Sequence, residues 1–385
     1  MKHNFRILIG VLAIALPMSI NAQVKPVKPN QEPKQAKVEK VDKEKLEKEK
    51  LEKQERREKQ KGGLEMPRIS GFVQGMYQAN LSDEGELKDN TLRMRRVRLS
   101  VDGNLSKTVS YKIQGDFTRS PMLVDAFIKY KPCREFAIQL GQFKTPFTIE
   151  SPINPVNLEI FDYGEAVQQL GGYKDVCGVG ALGRDLGLMA TGSLFPVEGE
   201  EGYKYSIVDY SIGVFNGNGA NNLDNNNSKD LVGRLDVHPG LKEITLSGSY
   251  YYGKYTKDEN IDCTRNRWAA GAQYNDGKFL LRGEYIGGKT GISDVTTANP
   301  YYNSNGYYGV VGYNFQAGEQ KIMPVLRYEH FTKDASIVNG GTNWYTAGIN
   351  YWPLKSVNCK LDYSLIQKEA GGNSHRVVAM VSYKF

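Results

Sequence analysis

Histidine, cysteine and tryptophan are scarce in this chain of 385 residues, at four, four and three copies. That scarcity removes whole classes of chemistry. His3, His238, His330 and His375 are widely spaced and form neither an HExxH pair nor another metal-ligand spacing. There is no GxSxG elbow. "GVGALG" at 178–183 has the letters of a dinucleotide-binding turn but no strand–turn–helix unit around it. "LDNNNSKD" offers oxygen ligands without the EF-hand glycine and closing glutamate. The expectation is a protein that is not an enzyme and that uses no cofactor and no metal.

Excess charge is missing from most of the chain. The formal net charge of +7 is confined to the first 61 residues. Lys2 and Arg6 precede an apolar stretch, Ile7 to Ile20, and the small residue Ala22. This is the layout of a secretory signal peptide, residues 1–22, and the run is too short for a membrane anchor. Export removes nucleic acid as a partner. Residues 23–61 hold 14 basic and 9 acidic side chains, with prolines at Pro26, Pro29 and Pro33. Val41, Leu46 and Leu51 stand five apart, so each is rotated about 140° from the last and no coiled-coil seam forms. Residues 23–66 read as a charged, Lys/Glu-rich periplasmic arm, partly helical or disordered, available for periplasmic or peptidoglycan contact. The remaining 324 residues carry 34 basic and 34 acidic side chains, a balance of zero.

Long apolar runs are also missing beyond the N-terminus, which excludes a bundle of membrane helices. What the body has instead is alternation. In "SVNCKLDYSLIQK", Val357, Cys359, Leu361, Tyr363 and Leu365 share one face, and Asn358, Lys360, Asp362 and Ser364 the other. Period two over short segments indicates strands. About sixteen such segments run from 69–80 to 375–385. A sandwich alternates as well, and the links decide between them. Every second link is tight ("NLSKT", "KPCRE", "PGLKE", "NDGK", "AGEQ", "PLKS") and several of those between are long. One link breaks the rule, "PVEGEEGYK" at 196–204. Links sorted by side are the mark of an outer-membrane barrel. The fold class is therefore all-β: a transmembrane antiparallel β-barrel of about 16 strands over residues 67–385. The longest link, 148–183, is apolar ("INPVNLEIF", "YGEAVQQLGGY"). Irregular backbone at membrane depth is tolerated only inside protein or beside a water-filled lumen. Part of this link is expected to fold inward and narrow a pore; an external cap or subunit contact is the alternative.

"RMRRVRLSVDGNLSKTVSYKIQGDF", "LVDAFIKYKP" and "IQLGQFKTPF" followed by "SP" resemble the phosphate-selective porin O and P family, especially its Bacteroidetes members. The resemblance is specific in strands two to five and diffuse afterwards. It implies a sixteen-stranded porin of the Gram-negative outer membrane, usually a homotrimer, with basic residues along the lumen. The terminal Phe385 likewise resembles the assembly signal of outer-membrane barrels.

Four arginines, Arg93, Arg95, Arg96 and Arg98, crowd the second strand. If Val97, Leu99 and Val101 face lipid, strict parity turns Arg96 and Arg98 into the lumen. It turns Arg93 and Arg95 outward, to lipopolysaccharide or a neighbouring subunit. The same parity adds Lys112 and Lys129 to the anion-binding pore lining. Arg93 to Lys144 contains 11 basic and 4 acidic residues, and Thr145 to Asp230 contains 4 basic and 12 acidic. A basic wall facing an acidic loop sets a field across the lumen, whereas Asp102, Asp116 and Asp125 are placed to neutralise their neighbours. Among the cysteines, Cys177 and Cys263 are the pair whose loop positions permit a bridge. Gly71, Gly75, Ala79 and Ala379 are small outward positions suited to a trimer contact. The reading is an outer-membrane porin passing small hydrophilic solutes, anions and phosphate preferred. Its alternative is a barrel serving as envelope anchor or adhesion surface.

Overall fold

The computed structural model describes residues 66–179, 182–200, 202–256, 262–292 and 301–385. The signal segment and nearly all of the arm lie outside the described residues. The only α-helix among the described residues is one of six residues, and strands make up most of the described chain. In order these are β1 (Arg68–Leu81), β2 (Leu87–Asn104), β3 (Val109–Asp116), β4 (Leu123–Tyr130), β5 (Ala137–Lys144) and β6 (Arg184–Gly199). Then come β7 (Gly202–Phe215), β8 (Asp230–Val237), β9 (Ile244–Thr256), β10 (Asp262–Asn275), β11 (Phe279–Gly291) and β12 (Tyr301–Tyr313). The last are β13 (Phe315–Ala317), β14 (Gln320–Thr332), β15 (Gly341–Leu354), β16 (Val357–Lys368) and β17 (Asn373–Lys384).

Each strand pairs antiparallel with its neighbours in sequence, and β1 pairs with β17, so the sheet closes on itself. The three-residue β13 continues β12 beyond Asn314, and both pair with β14. The wall therefore has sixteen staves. Closure leaves no unpaired edge, the condition for a sheet in lipid.

Alternation decides which face is which. Leu99, Ile113, Ile128, Leu140, Leu188, Leu281, Leu326 and Leu361 are exposed, while the polar Ser100, Gln114, Gln139, Arg282, Arg327 and Lys360 beside them are buried. An apolar outside and a polar inside fit a membrane barrel. Trp268, Tyr285, Tyr307, Tyr328 and Tyr345 form a continuous row of ring contacts across five staves, with centroids 5.1–6.2 Å apart. Amphipathic rings of this kind sit at headgroup level.

Three sequence expectations change here. The link at 196–204 is not a long turn: β6 runs on to Gly199 and β7 starts at Gly202, with Pro196 opposite Ser206. The strands simply extend past the expected ends. Gly71 is not open to a neighbour either, since an added Cβ would lie 2.6 Å from the Phe385 ring. Cys177 and Cys263 share one small buried cluster with Tyr255, as thiols with no disulfide between them.

Candidate functional site

The segment between β5 and β6 lies inside the barrel. Its apolar residues Phe147, Leu158, Ile160, Phe161, Val167 and Leu170 are buried in one cluster with Met76, Val232, Ile286, Val310, Val325 and Met380 of the wall. Local rules shape it. A 3-10 turn at Pro155–Asn157 is capped by Asn154, whose side-chain oxygen accepts from Val156 N–H at 3.3 Å. A short helix, α1 (Glu165–Leu170), follows and buries Ala166, Val167 and Leu170. Gly306 of β12 makes room for it, because a Cβ there would stand 2.6 Å from Ala166 Cβ.

Carboxylates clamp the segment to opposite sides of the wall. Asp162 reaches β2, one oxygen on Arg95 and the other 3.0 Å from Arg96 Nη2. Eight staves away on β10, Arg267 takes both oxygens of Asp175, one at 2.6 Å, and also donates to Leu170 O. Glu150 lies 2.8 Å from Arg327 and 3.4 Å from Arg282, and Glu159 lies 2.6 Å from Arg282. Backbone N–H groups complete the docking: Ile149 donates to Glu284, Phe161 to Asp362 and Glu165 to Glu329. Gly164 N–H donates to Glu150 at 2.8 Å, and a Cβ on Gly164 would sit 1.8 Å from the Arg327 guanidinium. A side chain there would have to push the Arg327 guanidinium off Glu150.

These clamps have a pH signature. Burial alone would raise Glu150, Asp162 and Asp175, but Arg327 and Arg282, Arg96 and Arg95, and Arg267 respectively outweigh it and hold all three low. A depressed carboxyl stabilises the docked loop above its ordinary pKa of about 4 and loses that contribution only as pH falls through the lower folded value. Single-channel conductance is therefore expected to stay level from neutral pH to about 4.5, and to rise and become noisy only in stronger acid. Noisy, loop-released channels already near pH 6, abolished in no clamp variant, would contradict the part given to these three carboxylates.

The sequence candidates are placed unequally. Arg96 and Arg98 are turned inward and each is 4% exposed; Arg98 Nε is 2.9 Å from Asp116. Lys112 Nζ is 4.0 Å from Asp125, whose oxygens are held by Arg184 at 2.6 Å. Lys129 is half-buried opposite Ser110 and Gln139, apart from the others. Arg93 and Arg95 do not face lipid. Gln74 of β1 pairs with Arg96 and Gly75 with Met94, so Arg95 is the extra residue of a β-bulge. The bulge reverses the parity above it: Leu92 and Met94 take the exposed positions, and Arg93 and Arg95 line an interior cavity. The acidic loop also does not face a basic wall across a gap, because its carboxylates touch arginines on both sides. Lys144, Arg184, Arg267, Arg282, Arg327 and Arg376 are lumenal residues that counting within strands two to four does not reach.

Two cavities flank the loop. The outer one, about 220 Å³, is bordered by Arg93, Arg95, Lys174 and Arg376 together with Asp162, Glu165 and Glu329. The inner one, about 300 Å³, is bordered by Arg98, Lys112, Lys144 and Arg184, with Asp125 as its one carboxylate. Both are net positive.

The anion-selective porin from Comamonas acidovorans superposes with a TM-score of 0.61 at 14% identity, over 83% of this chain and 99% of that one. OmpF of Salmonella typhi gives 0.59 at 13%, over 83% and 97%. The trimer form of OmpT from Vibrio cholerae gives 0.56 at 10%, over 83% and 100%. At such identities the likeness concerns the fold. No curated protein matches the chain. The sequence pattern of phosphate-selective porin O and P, however, matches residues 68–385, from the first stave to the last residue. The chain belongs to that family, and is a porin of the Gram-negative outer membrane.

Proposed function

We propose that this porin is a passive diffusion channel preferring small anions, phosphate among them. The observation that carries the reading is the inner cavity, where Arg98, Lys112, Lys144 and Arg184 meet a single carboxylate, Asp125. Lys144 has no carboxylate within 4.0 Å among the described residues: its Nζ donates to Ser151 O, Ile153 O and Tyr163 Oη, the last two at 2.9 Å. Excess positive charge between low-dielectric walls raises the local anion concentration. Guanidinium forks match the oxygens of phosphate and carboxylate two at a time. The anion-selective Comamonas porin, built on the same fold, supports the reading, and the trimer form of Vibrio OmpT supports a homotrimer.

The test is reconstitution of the purified protein in a planar bilayer under a potassium chloride gradient. Conductance steps grouped in threes, a zero-current potential of anion sign, and block of chloride current by phosphate are expected. An absence of steps would favour the anchor or adhesion scaffold, and a cation-sign potential would refute the role given to the inner cavity.

A further inference from the structure

Asp162 stands at the boundary between the two cavities. It borders the outer one, and the neighbouring Tyr163 joins them: Tyr163 lines the outer cavity while its Oη accepts from Lys144 Nζ, which lines the inner one. The two cavities share no described lining residue, and this hydrogen bond is the contact that links them. At this boundary the carboxylate of Asp162 spreads its oxygens over two guanidinium groups, Oδ2 on Arg95 and Oδ1 on Arg96 at 3.0 Å. That is the geometry in which a pair of arginines receives a free oxyanion. The bulge creates it, because only an extra residue turns two consecutive arginines to the same side of a strand. The site is not saturated: Arg95 Nε has no hydrogen-bond partner among the described residues, and Arg93 borders the same cavity with no acid assigned to it.

We propose that Asp162 is a tethered counter-anion, which occupies the Arg95–Arg96 oxyanion site and so sets how strongly the channel holds divalent against monovalent anions. The proposal rests on the anion-channel reading above. With Asp162 in place, the two guanidinium groups present one excess positive charge; without it they present two. A monovalent ion gains modestly from the second charge, and a divalent one gains about twice as much, since Coulomb energy scales with the product of charges. The resident carboxylate keeps the site weak enough for release, as conduction requires.

The experiment compares full-length wild type with Asp162→Asn and Asp175→Asn in planar bilayers, using sulfate as the divalent and nitrate as the monovalent probe of chloride current. Asp162→Asn is expected to lower the half-blocking sulfate concentration about tenfold, the worth of one charge-assisted hydrogen bond. The shift for nitrate should be smaller. Asp175→Asn, which loosens the loop on the opposite side, should change conductance and leave the ratio of sulfate to nitrate block alone. If both variants alter conductance alike and neither moves that ratio, Asp162 is a clamp and nothing more. Should Asp162→Asn not assemble, Arg95→Gln supplies the converse, because Asp162 keeps Arg96 as a partner. Sulfate block should then weaken about tenfold, and an unchanged block overturns the proposal. A wild-type channel with no anion preference fails at the first measurement, before any variant is compared, and overturns both readings.

Discussion

Asp175→Asn is expected to cost about 3–5 kcal/mol and to enlarge the channel, the largest structural effect of any single change in the loop. The Asp175 and Arg267 side chains are each 1% exposed. The amide keeps one acceptor oxygen for Arg267, but the buried guanidinium loses its counter-charge and its second acceptor, and otherwise donates to Leu170 O. An unpaired buried charge is far costlier than the net worth of the pair. Glu150→Gln should cost less, because Arg282 retains Glu159 at 2.6 Å and Arg327 retains Glu329 at 2.8 Å. The measurement is the unfolding midpoint of the barrel in denaturant together with single-channel conductance. Asp175→Asn should lower the first and raise the second. Combining it with Arg267→Met should recover most of the midpoint, since the stranded charge is then gone. A single variant indistinguishable from wild type would mean that the apolar cluster around Phe147, Val167 and Leu170 holds the loop without the clamp.

Much of this architecture is written in the sequence because membrane barrels obey a local rule. Each stave has one face in lipid and one in the lumen, so period-two alternation survives in almost every segment. Long and short links fall on opposite rims for topological reasons. The inward course of the loop after Lys144 is legible in its apolarity. What alternation does not carry is which lumenal charges meet. Arg267 and Asp175 are 92 residues apart, and Arg327 and Glu150 are 177 apart. Their pairing depends on how the loop crosses the barrel. Parity alone would still have flagged Arg267, Arg282 and Arg327, each next to an exposed Trp268, Leu281 or Leu326. The bulge at Arg95 left a trace too. Apolar positions run Leu92, Met94, then Val97, Leu99 and Val101, and the step of three is where the phase slips. Strict period two read through that slip and turned two arginines the wrong way.

That slip yields a second large effect. Arg93→Gln with Arg95→Gln is expected to shift the zero-current potential in a chloride gradient toward cation preference, though strict parity would have left selectivity unchanged. The outer cavity is bordered by Arg93, Arg95, Lys174 and Arg376 against Asp162, Glu165 and Glu329. Removing two of its four cations leaves three carboxylates facing two bases, so the sign of the cavity reverses. Asp162 remains held by Arg96 at 3.0 Å, so the loop keeps its anchor on this side. Arg96→Gln with Arg98→Gln is a different experiment. It strips Asp116, which is fully buried, of its 2.9 Å partner, and leaves Arg119 at 3.7 Å as the nearest charge. Poor assembly should dominate that variant and obscure any change in selectivity. Salt separates a field effect from a structural one. At 0.1 M the screening length of about 10 Å spans the cavity, whereas at 1 M it falls to about 3 Å. The Arg93/Arg95 shift should therefore be large in dilute chloride and nearly vanish in molar chloride. A shift that persists in molar salt would mean the pore has changed shape. No shift at any salt concentration would mean that the two arginines face outward after all, and that the bulge at Arg95 is not present in the membrane.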